Sequence, residues 1–322
     1  MIPPKSDLTI CFAHVAYALN ERFEARRTGI RSFQVWNRDD LEARIGEADV
    51  LVCSSLWRDR FLAGAPKLRF IQAVSAGVDF FGADELARHG VRLASARGAN
   101  ARAVSDHAIG LILALTRRLT EARDNQAKRF WRGMALDRGL REDELSDKTL
   151  LVVGLGAIGD RIARLARAFE MTVIGVRRDP AGGRGHADAV HGLDALDTLL
   201  PRADFVVLAC PLTKETAKLM NARTLGLMKP TAYLVNVARG GCVDEAALSA
   251  ALTEGGIAGA ALDVAAEEPL PPDAPLWNLP NLFVTPHTAG ETRRYEDNVL
   301  DILQENLDRL WRGEETLRNQ VV

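Results

Sequence analysis

A G-x-G-x-x-G motif is the first feature of the chain whose residue types and spacing could do chemistry; it consists of Gly154, Gly156 and Gly159. The apolar run 150–153 precedes it and a helix-compatible run, 161–170, follows it, which predicts a strand, a tight turn and a helix. The first glycine would permit the turn, the second would leave room for a pyrophosphate, and the third would let the helix lie close to the strand. The helix N-terminus would present unpaired N–H groups to an anion. We therefore predict a dinucleotide-binding loop that includes the intervening residues Ala157 and Ile158.

A second group consists of polar or reactive positions that directly follow predicted strands: Cys210, Pro211, residues 236–240, Asp263 and His287. The strands that precede them are predicted at 205–209, 232–237, 258–263 and 282–285. In open α/β sheets, ligands bind outside the carboxyl ends of the strands. We therefore expect these residues to line one crevice.

The first hundred residues alternate short apolar strands with helical stretches, which favours a parallel sheet covered on both faces. The strands are predicted at 8–13, 32–36, 50–54, 69–74 and 92–94, with helices at 18–27, 39–46 and 84–89 between them. About six more strands are expected from 149 to 286, which suits a doubly wound sheet. Helical patterns at 103–128 and 293–312 would lead into this second part and away from it.

This pattern predicts an α/β fold of two doubly wound parallel-sheet domains. If the helical pattern at 293–312 packs on the first domain, a Rossmann dinucleotide-binding domain, residues 102–288, is inserted in a flavodoxin-like substrate domain formed by residues 1–101 and 289–322.

Composition limits the kind of partner. The 322 residues contain 41 basic and 43 acidic side chains, a net charge of -2, which gives no bulk attraction to nucleic acid or acidic membranes. The four cysteines lie far apart, with no CxxC pair and no histidine at ligand spacing, so disulfides and a metal site are not expected. No export signal and no membrane-spanning run is apparent. We expect a cytoplasmic protein whose partner is a small molecule.

Seven segments, in order along the chain, resemble the successive signatures of the D-isomer-specific 2-hydroxyacid dehydrogenases, and of glyoxylate/hydroxypyruvate reductases among them. They are SAGVD (75–79), GANARAVSDH (98–107), GLGAIG (154–159), CPLTKET (210–216), VNVARGGCVDE (235–245), ALDVAAEEPLP (261–271) and TPHTAG (285–290). The resemblance covers most of the chain. It implies an NAD(P)-dependent oxidoreductase acting on 2-hydroxy or 2-oxo acids.

The resemblance implies that Arg239, Glu268 and His287 form the catalytic trio. A protonated imidazole at His287 could give its proton to the oxygen of a 2-oxo acid as hydride arrives. Glu268 would hold the ring and favour its charged form, and the guanidinium of Arg239 suits a carboxylate. Taken singly, each could be an ordinary packed or solvated residue, and Arg239 could bond loop carbonyls. Their joint placement in three signatures favours the catalytic roles, whereas Glu267 is expected to be a solvated neighbour.

Further contacts follow from the same resemblance. Ala76, Gly77 and Val78 would bind the substrate carboxylate together with Arg239, although a plain strand-to-helix turn fits residues 76–78 equally well. Asp263 would contact the nicotinamide carboxamide, or else cap a turn. The cofactor cleft would also be lined by Cys210, Pro211 and Ala238. Two further residues are expected to be structural: Cys242, and His107 as a core histidine.

The residue after the second strand of the dinucleotide domain departs from the NAD pattern. An acidic residue usually binds the adenosine ribose there, but the chain has Arg177 and then Arg178. A guanidinium suits a 2′-phosphate, and Arg184 could add to the pocket. We therefore favour NADP(H), with NAD(H) possible if these arginines face solvent.

The favoured function is reduction of a small 2-oxo acid by a homodimeric enzyme. A reductase specific for glyoxylate and hydroxypyruvate is the nearest alternative. A phosphoglycerate dehydrogenase-like enzyme is a less favoured alternative because no regulatory domain follows Val322, although short forms of that enzyme also resemble this chain. Formate dehydrogenase is disfavoured because the longer N-terminal extension of those relatives is lacking. A different class of protein, a dinucleotide-sensing corepressor-like binding protein, shares this fold.

Overall fold

The structure is a computed structural model that describes residues 2–322. It divides into two compact units. The first unit combines the residues up to Asn100 with Thr292–Val322, and the second spans Ala101–Glu291. The boundaries expected from the sequence, after residues 101 and 288, fall within three residues of these.

Residues 2–322 contain twelve β-strands, five in the first unit and seven in the second. The first unit has β1 (Thr9–Ala13), β2 (Arg31–Val35), β3 (Val50–Cys53), β4 (Phe70–Ala73) and β5 (Arg92–Ala94). The second has β6 (Thr149–Val153), β7 (Thr172–Val176), β8 (Ala189–His191), β9 (Phe205–Leu208), β10 (Tyr233–Asn236), β11 (Gly259–Leu262) and β12 (Leu282–Val284).

Each unit is built on one parallel sheet. The strand order is β2-β1-β3-β4-β5 in the first unit and β12-β11-β10-β9-β6-β7-β8 in the second. The first is the flavodoxin-like order. The second is the Rossmann order with one further strand at the β12 edge. The prediction of two doubly wound parallel sheets is therefore confirmed.

Ten α-helices lie within residues 2–322. They are α1 (Leu19–Glu24), α2 (Arg38–Arg44), α3 (Ala83–Arg88), α4 (Ala101–Thr116), α5 (Leu119–Ala127), α6 (Ala157–Ala168), α7 (Leu196–Leu199), α8 (Ala222–Leu225), α9 (Glu245–Thr253) and α10 (Tyr295–Trp311). In this part of the chain, no helix combines the length and apolar character that a membrane crossing requires.

The central strands are apolar because both faces of each sheet are covered. In β6, Leu151 and Val153 belong to one buried cluster, whereas Leu150 and Val152 belong to another on the opposite face. Successive side chains of a strand point to opposite sides, so an uninterrupted apolar run fills two cores. This burial fixes the end of β6, from which the glycine motif projects.

Two elements differ from the sequence-based expectation. The helical pattern at 103–128 is divided into α4 and α5, because Arg118 adopts a left-handed conformation with φ 50°. The second unit has seven strands rather than six, because β8 was not predicted. This three-residue strand lies at the sheet edge and none of its residues is fully buried, so it lacks the apolar signal of a central strand.

Candidate active site

The glycine motif forms a tight turn between β6 and α6. Gly154 has φ 103°, and a Cβ there would lie 2.7 Å from backbone atoms of Ala209 and Cys210. A Cβ on Gly159 would lie 1.9 Å from the Gly154 carbonyl oxygen, so only glycine lets α6 begin this close to the strand. A Cβ on Gly156 would meet no atom within 4 Å. The turn and the exposed start of α6 therefore leave open space that suits a phosphate group.

A cavity of about 360 Å³ opens beside this turn. Gly156 and Ala157 line it on one side, and Arg177 and Arg184 on another. Nη1 of Arg177 donates hydrogen bonds to the carbonyl oxygens of residues 182 and 183, at 3.1 and 3.0 Å. Two guanidinium groups beside a phosphate-binding turn make the cavity suitable for the adenosine end of a phosphorylated dinucleotide.

Asp160 and Arg178 lie in different surroundings near this cavity. Asp160 is in the first turn of α6 and lines the cavity; it accepts hydrogen bonds from the backbone N–H of His186 at 2.8 Å and from its ring at 2.9 Å. Arg178 is exposed and does not line the cavity. The expectation that Arg178 binds the cofactor beside Arg177 stays a prediction.

His287 and Glu268 form a hydrogen-bonded pair. Nδ1 of His287 lies 2.6 Å from Oε2 of Glu268, and the other carboxylate oxygen accepts a hydrogen bond from the backbone N–H of Ala265 at 3.0 Å. Because an ionised carboxylate only accepts hydrogen bonds, Nδ1 carries the proton. Within residues 2–322, no group bonds to Nε2, and 49% of the His287 side chain is exposed. The ring can therefore exchange a proton with a ligand through Nε2.

Arg239 follows β10 in a turn that lies against the Glu268 loop. The side chain of Asn236 accepts from the Ala238 N–H at 3.0 Å and donates to the Arg239 carbonyl at 2.9 Å, which shapes the turn. A Cβ on Gly240 would lie 1.9 Å from the Ala265 carbonyl carbon, so the two backbones touch directly. The Arg239 guanidinium is exposed and donates to the Ala238 carbonyl at 2.7 Å. The carboxyl-end side of the sheet therefore carries a cation (Arg239), a carboxylate (Glu268) and an imidazole (His287).

Asp263 is buried at the end of β11, with 2% of its surface exposed. Its carboxylate accepts hydrogen bonds from the Thr285 hydroxyl at 2.6 Å and from the backbone N–H groups of Thr288 and Ala289 at 3.0 to 3.2 Å. The His287 N–H donates to the Asp263 carbonyl at 2.8 Å. Asp263 therefore fixes the loop that holds His287, whose φ is 54°.

Cys210 follows β9 beside the glycine turn and Ala238 follows β10; both are buried, whereas Pro211 is exposed. The carbonyl of Pro211 accepts a hydrogen bond from the Thr216 hydroxyl at 2.7 Å. The Cys210 thiol donates a hydrogen bond to the Cys242 sulfur, which lowers the pKa of Cys242 to about 7 and raises that of Cys210. This pair links the turn after β9 to the turn that holds Arg239.

The loop after β4 in the first unit presents three consecutive backbone donors. The Ser54 hydroxyl accepts from the N–H groups of Val74 and Ser75, at 3.1 and 3.0 Å, and orders the start of the loop. The next three residues are Ala76, Gly77 and Val78. Their backbone N–H groups donate to no acceptor within residues 2–322. Such a run of unpaired N–H groups suits an anion.

The comparison with protein families decides the assignment. A family model described as "D-isomer specific 2-hydroxyacid dehydrogenase, NAD binding domain" matches residues 109–289, more than half of the chain. The chain belongs to the D-isomer specific 2-hydroxyacid dehydrogenase family. The family resemblance expected from the seven signatures is confirmed.

Known members of the dehydrogenase family match almost the whole chain. Glyoxylate reductase of Thermofilum pendens is 37% identical over 286 residues, covering 86% of this chain and 83% of that protein. A family protein from Aeromonas salmonicida has a crystal structure with a TM-score of 0.85 and 34% identity, covering 98% and 99% of the two chains. The NADPH-dependent glyoxylate/hydroxypyruvate reductase of Sinorhizobium meliloti, solved with NADP and malonate, has a TM-score of 0.77 and 28% identity, covering 98% and 97%.

Membership in the 2-hydroxyacid dehydrogenase family defines the reaction class. The protein is an oxidoreductase that uses a nicotinamide dinucleotide with a 2-hydroxy acid or the corresponding 2-oxo acid. The turn at Gly154, Gly156 and Gly159 and the cavity beside it fit that cofactor on geometric grounds, since they combine open backbone donors with two guanidinium groups.

Two polar residues of this dehydrogenase were not predicted to act together. The Thr285 hydroxyl lies 3.0 Å from Nε2 of His107, on α4. His107 was expected to be a satisfied core histidine, and Thr285 was not singled out. No local pattern could have paired them, because 178 residues separate them in the chain.

Proposed function

We propose that this family member reduces small 2-oxo acids, in particular glyoxylate and hydroxypyruvate, and prefers NADPH as the hydride donor. The observation that carries the proposal is the 2.6 Å pair of His287 and Glu268, with the Arg239 turn packed against the same loop. The Thermofilum relative is named for glyoxylate and the Sinorhizobium relative for both glyoxylate and hydroxypyruvate, which supports the choice.

Each side chain of the site has a separate role in the proposed reaction. The bound dinucleotide supplies the hydride. Glu268 accepts the Nδ1–H of His287 and holds the ring, so that Nε2 gives its proton to the substrate oxygen as negative charge develops there. Arg239 binds the carboxylate of the 2-oxo acid through two parallel hydrogen bonds. We also propose that the backbone N–H groups of residues 76–78 bind the substrate carboxylate.

The reductase activity is tested by steady-state reduction of glyoxylate, hydroxypyruvate, pyruvate and a phenyl-substituted 2-oxo acid, each with NADPH and with NADH. We expect glyoxylate and hydroxypyruvate to have the highest kcat/KM, with NADPH favoured. Binding of the dinucleotide without turnover of any of the four acids would refute the proposal and favour the dinucleotide-sensing alternative.

Arg177→Asp is expected to weaken NADPH binding by about 30-fold or more, because it replaces a cation with an anion where the 2′-phosphate would bind. NADH binding should change much less. Arg202→Asp is the matched control, because it makes the same change in charge at an exposed arginine outside the cavity. Dissociation constants measured by nicotinamide fluorescence check the prediction; equal effects of Arg177→Asp on both cofactors would contradict it.

We propose that the protein is a homodimer joined through the second unit. Three side chains after α5 are almost fully exposed although they are apolar: Trp131 (95%), Met134 (100%) and Leu136 (95%). Phe130 and Trp131 also line a groove of about 470 Å³ on this surface. Apolar side chains this exposed commonly mark an interface, and a second copy of the chain would cover them.

Leu136→Asp is expected to shift the protein from dimer to monomer, because the partner surface would have to bury a carboxylate. Light scattering coupled to gel filtration measures the mass. Trp36→Asp, at an exposed aromatic residue of the first unit, is the control and should leave the dimer intact. A monomeric wild-type protein at micromolar concentration would contradict the proposal.

We propose the cytoplasm as the location of the protein. All four cysteines are buried free thiols: Cys11, Cys53, Cys210 and Cys242. Free thiols suit a reducing compartment.

A further inference from the structure

We infer that His107 is a positioning residue, which orients the Asp263 carboxylate through Thr285 and thereby holds the loop of His287. The three groups form a chain of contacts within the second unit: His107 Nε2 to Thr285 Oγ1 at 3.0 Å, and Thr285 Oγ1 to Asp263 Oδ1 at 2.6 Å. The inference rests on the proposed function in one respect, since it gives His287 its role as proton donor.

The direction of both hydrogen bonds follows from the chemistry of the groups. A carboxylate has no proton, so the Thr285 hydroxyl must donate its single proton to Asp263. The same oxygen can then only accept from His107. Nε2 of His107 therefore carries a proton, and the ring serves as the donor that begins the chain.

Within residues 2–322, no other side chain takes the place of His107 in this series of contacts. The Asp263 carboxylate is 2% exposed, so water cannot readily substitute for a lost partner. Its other donors are the N–H groups of Thr288 and Ala289, which belong to the loop that it holds. Within residues 2–322, the side chain on another element that faces this carboxylate is His107 of α4: its Nε2 lies 3.5 Å from Asp263 Oδ1 and is joined to it by hydrogen bonds through the Thr285 hydroxyl.

A change in the orientation of the Asp263 carboxylate would affect His287 through the backbone of its loop. The His287 N–H donates to the Asp263 carbonyl at 2.8 Å, and the Asp263 carboxylate holds the two residues after His287. If the carboxylate turned, both ends of this short loop would loosen. The Nε2 proton of His287 would then be delivered less accurately to the substrate oxygen, although the substrate carboxylate would still meet Arg239. The rate of the chemical step should therefore suffer more than KM for the 2-oxo acid.

Four variants separate positioning from bulk packing. His107→Phe removes the donor and keeps a planar ring, whereas His107→Gln keeps an N–H donor. Thr285→Val removes the hydroxyl with little change in shape, whereas Thr285→Ser keeps it. His89→Phe, at the exposed residue that directly follows α3, is the control for the change from histidine to phenylalanine.

Two measurements on the full-length chain test the inference. Hydrogen exchange of the segment 285–290, followed by mass spectrometry, needs neither cofactor nor substrate. Exchange should become about tenfold faster in His107→Phe and Thr285→Val, the effect of losing one buried hydrogen bond, and stay near wild type in His107→Gln and Thr285→Ser. Glyoxylate reduction with NADPH should show kcat lowered about tenfold in the same two variants with KM for glyoxylate nearly unchanged.

Several outcomes would overturn the inference. Wild-type exchange and kcat in His107→Phe would do so, as would His107→Gln being as impaired as His107→Phe. If His107→Phe does not fold, the comparison of Thr285→Val with Thr285→Ser decides, and equal behaviour of those two refutes the relay. A wild-type protein that reduces no 2-oxo acid would defeat the proposed function, while the exchange measurement would still decide whether His107 holds the loop.

Discussion

His287→Ala is expected to lower kcat for 2-oxoacid reduction by roughly 10²- to 10⁴-fold, the range that a positioned general acid contributes. The physical reason is that Nδ1 of His287 is engaged by Glu268 at 2.6 Å while Nε2 bonds to no group within residues 2–322. The substrate oxygen would lose its only placed proton donor in the proposed mechanism.

Binding of the dinucleotide should be nearly unaffected by His287→Ala, because half of the ring is exposed and its only side-chain partner in the described chain is Glu268. Steady-state kinetics and NADPH titration by fluorescence measure the two effects separately. Glu268→Gln is an informative companion, since an amide oxygen still accepts from Nδ1 but has no charge; its loss should be smaller. His89→Ala is the control. Full activity of His287→Ala would remove this residue from the mechanism.

Arg239→Met is expected to lower kcat/KM for glyoxylate by about 10²- to 10³-fold, because a substrate carboxylate would lose a two-pronged charged partner. Methionine keeps the length of the side chain, so the turn between Asn236 and Gly240 should survive. The Asn236 side chain and the backbone contact with Ala265 hold that turn without the guanidinium, which adds one hydrogen bond, to the Ala238 carbonyl.

Substrate titrations with the Arg239 variants check this expectation. Arg239→Lys should recover part of the loss, since an ammonium group keeps the charge without the planar fork. Arg223→Met, at an exposed arginine that pairs with Asp197 on the surface, is the matched control and should behave like wild type. A kcat/KM for Arg239→Met within about twofold of wild type would show that the carboxylate binds elsewhere.

The glycine turn could be predicted from the sequence because its requirements are local. Gly154 has a φ of 103°, and a Cβ on Gly159 would lie 1.9 Å from the Gly154 carbonyl oxygen. Neither position tolerates a side chain, so the presence of glycine at both already indicates the turn. The alternation of apolar runs likewise predicted eleven of the twelve strands within residues 2–322, since central parallel strands are buried on both faces. The strand β8 and the break at Arg118 lacked such a signal.

The relation between distant residues could not be predicted in the same way. The signatures identified His287, Glu268 and Arg239 one by one, and their roles remain proposals. The contact of His107 with Thr285 depends on how α4 packs against the second sheet. The phosphate contact predicted for Arg177 stays a prediction; in the structure its Nη1 donates hydrogen bonds to the carbonyls of residues 182 and 183. Such hydrogen bonds to a following loop leave no mark in sequence spacing.

The most direct test of the central claim is the configuration of the product formed from hydroxypyruvate and NADPH, determined by chiral chromatography. A D-isomer specific dehydrogenase that binds the carboxylate through Arg239 and delivers a proton from His287 presents one face of the carbonyl to the hydride. We predict D-glycerate as the product. L-glycerate, a racemic mixture, or no glycerate with either nicotinamide cofactor would contradict the account.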